Sequence, residues 1–454
     1  MNSDEQSPHP QRRLQGLARA LTLELAAEAR AEWGFTSDLI ATCFRRNRQL
    51  GSTERRLVAE TVYGLVRWER RLEAIVDELL VPPHGRGKPE LLSPGARGEL
   101  KLIVHELRNG LPVEAARADL KRLCRRELDP ADAVADDAGL GKSTGLEREA
   151  LRLSFPTWLL ERFVNALGRE EGLALASAMN GRAPLTVRVN GARISREELQ
   201  ARLAEEKIVA RPTELSPMGL VFETRVNAFG LRAFQDGLYE VMDEGSQLVA
   251  EAVAPPPRGR VADACAGAGG KTLALAALLD GQGRILALDS AGKKLEELRR
   301  RARRAGLSNV AAREVKGAQL PPEAKLGGWD RVLVDAPCSG LGTLRRNPEA
   351  RWRLSPKAVD AFPSLQLSLL VTYAPLVAPG GRVIYATCTV LPEENERVVE
   401  RFLAERPDFS LMPLKEIWGK ERCGRLGDET FLKLYPHRHD TDGFFAAVMR
   451  RKPE

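Results

Sequence analysis

Apolar positions along this chain follow two periods, and the change from one to the other divides it. From about residue 14 to 127 the spacing is helical. Leu57, Val58, Thr61, Val62, Leu65 and Val66 share one face, and Leu72, Ile75, Val76, Leu79 and Leu80 the next. Ser93-Pro94 opens a helix carrying Leu100, Ile103, Val104 and Leu107, which Asn109-Gly110 ends. Another starts near Pro112 and finishes on Lys121, Arg122, Arg125 and Arg126. The pattern predicts an all-α domain over 12–128 with a basic edge, preceded by a polar tail at 1–12. Pro82-Pro83 interrupts it with a loop, HGRGKPE. Residues 129–149 are rich in Asp, Ala and Gly, lack apolar periodicity and read as a linker. Over 150–250 a helix from Trp158 to Met179 precedes the strand PLTVRVN, a helix from Ser195 and short strands around Gly219 and Arg225. This predicts a small α+β module, ending in a helix within EVMDEGSQLVAEAVA that packs on the C-terminal domain.

Over 251–454 short β-type runs alternate with helical ones: RVADA, RILALD, a strand near 310–315, RVLVD and RVIYAT, with helices at 272–279, 291–305, 364–377 and 393–405. Such alternation predicts a mostly parallel, seven-stranded α/β sheet of Rossmann type covered on both faces. TFLKLY and GFFAAVMR, with no helix read between them, predict an antiparallel pair at its end.

Composition narrows the function classes. No run of 18 apolar residues exists, so no membrane span is expected. The N-terminus MNSDEQSPHPQRR lacks an apolar signal region, which makes the cytoplasm the expected location. Six cysteines without a CxxC, and five scattered histidines, argue against a disulfide framework and against a metal site. A net charge of +7 suits a phosphate-backbone partner, or merely an arginine-rich solvated surface.

Two cysteines carry the chemistry. Val-Leu-Val-Asp335-Ala-Pro-Cys338 and Val-Ile-Tyr-Ala-Thr387-Cys388 each run a strand into a thiol, 50 residues apart. That spacing allows neighbouring strand ends, facing the crevice where open α/β sheets bind ligands. Pro337, without an N–H, fixes the backbone that presents Cys338. One such cysteine reads as a small buried hydrophobe; two at neighbouring strand ends point to covalent chemistry. A thiolate added to carbon 6 of a pyrimidine makes carbon 5 nucleophilic enough to take a methyl group. An acid must stabilise the charge that develops at ring nitrogen 3, which Asp335 does if protonated or hydrogen-bonded. Cys265-Ala-Gly-Ala-Gly-Gly-Lys271 joins the first strand to the first helix, and its glycines allow close approach of a ligand. It is not the dinucleotide fingerprint, which needs Gly at Thr272, nor a Walker loop, which needs Gly at Cys265. The GKST ending at Thr144 fails likewise, with Asp136 where Gly is required. Asp289, ending the second strand, is placed to accept ribose hydroxyls, so a nucleoside without pyrophosphate fits: S-adenosylmethionine. Arg345, Arg346, Arg351 and Arg353 after Cys338 read as a grip on RNA phosphates, with Pro348 and Trp352 as pocket wall.

Taken together, DACAGAGGKT, VDAPCSGLGTLRRNPEARW and YATCTVLPEENE closely resemble the Sun family of RNA 5-methylcytosine methyltransferases, and TVRVN, MDEGSQLVA and DGFFAAVMRR match its flanking motifs. The resemblance covers roughly 150–450, and the N-terminal helices resemble the NusB-like RNA-binding domain of the members acting on bacterial small-subunit rRNA. It implies an enzyme acting on 16S rRNA, with Cys388 as nucleophile and Cys338 assisting release of the adduct; a monomer is expected, although no residue pattern speaks to oligomeric state. It also implies cofactor contacts from Cys265, Ala266, Gly267, Ala268, Gly269, Gly270, Lys271, Asp289 and Asp335, the last and Lys271 lying close to the base. Two positions depart from the pattern: Ala268 replaces the usual Pro, and Val310 to Pro322 has no Asp where the family places one against adenine, Lys316 or Gly317 standing there. The alternatives are a tRNA cytosine methyltransferase, a DNA cytosine methyltransferase with its nucleophile in the Pro-Cys motif, and a non-catalytic RNA-binding assembly factor.

Overall fold

The computed structural model describes residues 13–81, 89–125, 128–224, 226–317 and 319–453; the tail 1–12, most of the loop HGRGKPE, Arg126 and Arg225 lie outside the described residues. Contacts divide the chain into two compact units, 1–180 with 346–356, and 181–345 with 357–454.

The first unit is helical. Its first helices run Gly16–Glu32, Thr36–Arg46, Ser52–Arg67, Glu69–Leu80, Pro94–Arg108 and Val113–Leu123. Leu72, Ile75 and Val76 are buried together with Leu100, Ile103, Val104 and Leu107, as the 3.6-residue spacing requires. Ser93 caps its helix by accepting from the Ala96 N–H at 3.3 Å, with Pro94 at the first position. The stretch 129–149 is not a loose linker. Ala133 and Ala138 enter the core, and at Gly139, with φ +71°, a Cβ would stand 2.6 Å from the Ile75 backbone nitrogen. Small residues, which look like linker in sequence, here let the backbone lie directly on a helix. The helix from Trp158 to Met179 proves to be two, Thr157–Leu167 and Arg169–Ala178, broken at Gly168 with φ +85°.

The second unit holds two sheets. The smaller is antiparallel, in the order β2-β3-β1-β4, with β1 Leu185–Val189, β2 Ala210–Pro212, β3 Gly219–Phe222 and β4 Tyr239–Val241. The larger comprises β5 Arg260–Asp263, β6 Arg284–Asp289, β7 Val310–Glu314, β8 Trp329–Asp335, β9 Val377–Thr387, β10 Phe409–Met412, β11 Leu432–Leu434 and β12 Phe444–Arg451. Its path β10-β12-β9-β8-β5-β6-β7 has seven strands, parallel from β9 through β7, with β12 antiparallel to β9. β11 and β10 share the other edge of β12, pairing with 444–446 and 448–451. β10 escaped the sequence pattern because it is a four-residue edge strand. Ile285 to Leu288 and Val332 to Val334 are fully buried, as central strands covered on both faces must be. The helix expected at 364–377 begins earlier and runs Pro356–Tyr373, carrying Pro363 inside it. An internal proline reads as a stop in sequence, and tertiary packing overrides it here. Among the described residues no helix is long and apolar enough to cross a membrane.

Candidate active site

From β5 the chain winds one way to β6 and β7, and on the other side lie β8 and β9, so the crevice opens between β5 and β8. Asp335 pairs in register with Ala386, and the Ala336 N–H donates to the Ala386 carbonyl at 2.9 Å. The loops beyond these two strands therefore leave the sheet side by side. Their thiols meet, with Cys338 Sγ 3.4 Å from Cys388 Sγ. The loops are also clamped: the Gly342 N–H donates to the Cys388 carbonyl at 2.9 Å and the Gly443 N–H to the Gly342 carbonyl at 2.8 Å.

Lys271 enters from the first turn of the helix Gly270–Leu278, and its Nζ lies 2.7 Å from Asp335 Oδ2. Its ammonium also stands 5.1 Å from the centre of the Phe444 ring. Burial works against its charge, yet the neighbouring Asp335, with a smaller contribution from Cys388, holds the lysine above its ordinary pKa. The hydrogen bond with Cys388, then burial and the Glu394 carboxylate, push the Cys338 thiol well above the usual thiol range. Cys265 is raised too, by burial first and then by Asp263, Asp335 and Asp289, so it is a poor nucleophile.

The glycine-rich loop follows β5. The Gly267 N–H donates to Asp289 Oδ2 and the Ala291 N–H to Asp289 Oδ1, both at 2.8 Å. Gly269, with φ +88°, has no alternative residue: a Cβ there would meet Leu298 Cγ at 2.5 Å. Arg301 donates to the Ala268 carbonyl at 2.7 Å and to the buried Glu240 at 3.0 Å, which holds the loop at the position lacking the family's proline. Sequence reading missed Asp263 as a site residue. Its Oδ2 accepts from the Thr272 hydroxyl at 2.6 Å, while Oδ1 is buried without a hydrogen-bond partner among the described residues. Burial, with Asp335 adding to it, pushes this carboxyl up to about 7. The signal was present in sequence as an Asp ending a strand, but its burial was not.

The four arginines are not a free basic loop. Arg345 is buried, its guanidinium 2.6 Å from Asp440 Oδ1 and 2.9 Å from the Asp440 carbonyl. Arg351 is fully buried in the first unit, donating to Asn180 Oδ1 at 2.8 Å and to the Ser154 carbonyl at 3.2 Å, over the Phe155 ring. Trp352 is not pocket wall either; its Nε1 donates to the Val66 carbonyl at 2.7 Å. Arg346 is half-buried, and Arg353 is exposed, stacked on Phe35 at 4.7 Å. Of the four, Arg345 and Arg351 are corrected to structural residues, because both are buried and hydrogen-bonded within the protein instead of facing a phosphate.

A mostly parallel sheet, a glycine-rich turn after its first strand in this topology and an acidic residue ending the second define the S-adenosylmethionine-dependent methyltransferase class. The residues suit that cofactor. A Cβ on Gly267 or Gly270 would meet nothing within 4 Å, which leaves open space beside the loop. Asp289, tied to the loop through the Gly267 and Ala291 N–H groups, stands where a carboxylate can accept from ribose hydroxyls. Among the described residues no cluster of His, Cys, Asp or Glu could hold a metal.

Comparison with known proteins gives the family. Residues 250–450 match the model of the 16S rRNA methyltransferases RsmB/F, and residues 155–228 match that family's ferredoxin-like domain. A probable ribosomal RNA small subunit methyltransferase B of Synechocystis is 34% identical over 88% of this chain and 92% of its own. The corresponding probable enzyme of Bacillus subtilis is 28% identical over 96% and 98%. The crystal structure of PH0851 superposes with a TM-score of 0.75 at 26% identity, covering 97% of this chain and all of that one. The chain belongs to the RsmB/F family of rRNA methyltransferases.

Proposed function

We propose that this protein methylates carbon 5 of a cytosine in 16S rRNA through a covalent adduct to Cys388. The observation that carries the reading is the pair of thiols 3.4 Å apart beside the Lys271–Asp335 ion pair. The thiolate of Cys388 adds to carbon 6, and the negative charge spreading to ring nitrogen 3 is stabilised by the Lys271 ammonium, which Asp335 holds in place at 2.7 Å. S-adenosylmethionine supplies the electrophilic methyl group that carbon 5 takes. Removal of the carbon 5 proton by a base then expels the sulfur, breaking the S–C6 bond and restoring the ring. Cys338 assists this step. Cys265 to Lys271, Asp289 and Asp335 form the cofactor side, and the helical unit, which resembles a NusB-like domain, is taken as RNA-binding in a monomeric enzyme. The target base must be unpaired or flipped out to reach the thiols.

A trapping gel tests this. Wild type, Cys388→Ala and Cys338→Ala are incubated with 16S rRNA and S-adenosylmethionine, and denaturant-resistant protein–RNA bands are scored. A band that accumulates in Cys338→Ala and is absent in Cys388→Ala is the expected result. The reverse pattern makes Cys338 the nucleophile. The same gel with tRNA decides the substrate class.

A further inference from the structure

Glu394 takes no part in the methyl transfer itself, yet it is fully buried and touches both thiol loops. Its Oε2 accepts from the Ser339 N–H and the Gln366 side-chain amide, each at 2.9 Å. Its Oε1 accepts from the Ser339 hydroxyl at 2.5 Å and the Thr389 hydroxyl at 3.0 Å. Ser339 and Thr389 are the residues that directly follow Cys338 and Cys388. Their two hydroxyls are themselves 2.9 Å apart, and Gln366 also donates to the Pro337 carbonyl at 3.1 Å. One side chain therefore gathers the backbone just past both cysteines.

All four partners can donate, and two of them, the Ser339 and Gln366 N–H groups, can do nothing else. That is the geometry of a carboxylate: burial raises the pKa of Glu394, and the hydrogen bonds from Ser339, Gln366 and Thr389 work against that rise. Charge is thus distributed unevenly across the thiol pair. The groups acting on the pair are the cation of Lys271, which acts on Cys388 and is tied to Asp335, the anion of Glu394, which acts on Cys338, and the phenol of Tyr385. Tyr385 donates its hydroxyl to the Glu394 backbone carbonyl at 2.5 Å. A negative charge beside one of two close thiols opposes the ionisation of that thiol.

We infer that Glu394 is a positioning residue that holds the two thiol loops in register and, by its charge beside Cys338, leaves Cys388 as the nucleophile of the pair. The inference rests on the two-thiol reading of the active site, but its test needs no RNA.

The test is alkylation of the full-length protein by iodoacetamide between pH 6 and 9, with each cysteine followed by peptide mass. The reaction forms a sulfur–carbon bond, expels iodide and requires the thiolate, so its rate reports ionisation at each site. Glu394→Gln removes the charge and keeps the shape: the amide oxygen accepts from the two N–H groups, while its NH2 meets the two hydroxyls. In wild type Cys388 is alkylated faster than Cys338 at pH 7. In Glu394→Gln the Cys338 rate rises about 10-fold, the equivalent of one pKa unit, and the Cys388 rate moves less than about 2-fold. A double variant, Ser339→Ala with Thr389→Val, loosens the tether but keeps the carboxylate, so its Cys338 stays slow. It keeps the idea falsifiable should Glu394→Gln not fold. An unchanged Cys338 rate in folded Glu394→Gln, a Cys338 that reacts first in wild type, or a fast Cys338 in the double variant overturns the inference. Absence of any RNA adduct in wild type with the alkylation pattern intact would sink the covalent mechanism and leave the role of Glu394 standing.

Discussion

Single residues decide the electrostatics of the crevice. Asp263 is the clearest case, since burial raises its carboxyl to about 7. A raised carboxyl binds its proton more tightly in the folded than in the unfolded chain. Its stabilising contribution is complete at low pH, below the ordinary value near 4, and is lost as pH climbs to about 7. Between pH 5 and 8 this one group costs about 3 kcal/mol. Chemical denaturation at the two pH values should therefore show a loss in wild type that Asp263→Asn abolishes. Lys271 works the other way, its charge kept by Asp335 at 2.7 Å. Lys271→Met leaves Asp335 without its counter-ion, and a fall in kcat of at least about 100-fold is expected, the scale of a lost positioned charge. A single-turnover methylation assay reads this directly.

At the level of elements, close approach matters more than composition. Gly342 sits where the Cys338 loop crosses the chain around Gly443; a Cβ there would meet the Gly443 carbonyl oxygen at 2.1 Å and the Cys388 carbonyl oxygen at 2.8 Å. Gly342→Ala must push these backbones apart, at a cost of about 2 kcal/mol, and should lower adduct formation more than it lowers the melting temperature. The segment 346–356 behaves as an insert into the helical unit, with Glu349 accepting from the Thr36 hydroxyl at 3.0 Å and Trp352 stacked near Trp33 at 5.8 Å. Arg351→Ala strands the Ser154 carbonyl and should destabilise the protein by about 3 kcal/mol. It should leave the salt dependence of RNA affinity unchanged, whereas losing a true phosphate contact on single-stranded RNA would reduce that slope by about 0.7. Urea melts and affinity measured across a salt series separate these outcomes.

For the molecule as a whole, the consequence is that the methyltransferase sequence is not self-contained. Residues 346–356 lie between the two cysteines in sequence, yet they belong to the unit built from 1–180. Deleting 1–180 removes the hydrogen-bond partners that hold Arg351 and Trp352. The truncated chain should then be cut by trypsin at Arg351 or Arg353 within minutes, where the full chain resists. It should also lose methylation although both thiols remain.

Much of this protein is determined locally and was legible in the sequence. Runs such as RILALD and RVLVD are apolar on both faces and can only be central strands. Ser93-Pro94 begins a helix by its own chemistry, and two strand-ending thiols 50 residues apart announce neighbouring loops. Signals of that kind need only the period of the chain and the bonding habits of single residues. Packing decided the rest. Nothing local tells that the Ala- and Gly-rich stretch around Gly139 lies on a helix, that a proline at 363 is tolerated within one, or that Arg351 is buried against Asn180 instead of facing solvent. The hub at Glu394 escaped for the same reason. Its four hydrogen bonds come from residues up to 55 positions away, and only the closed sheet brings such distant donors onto one carboxylate.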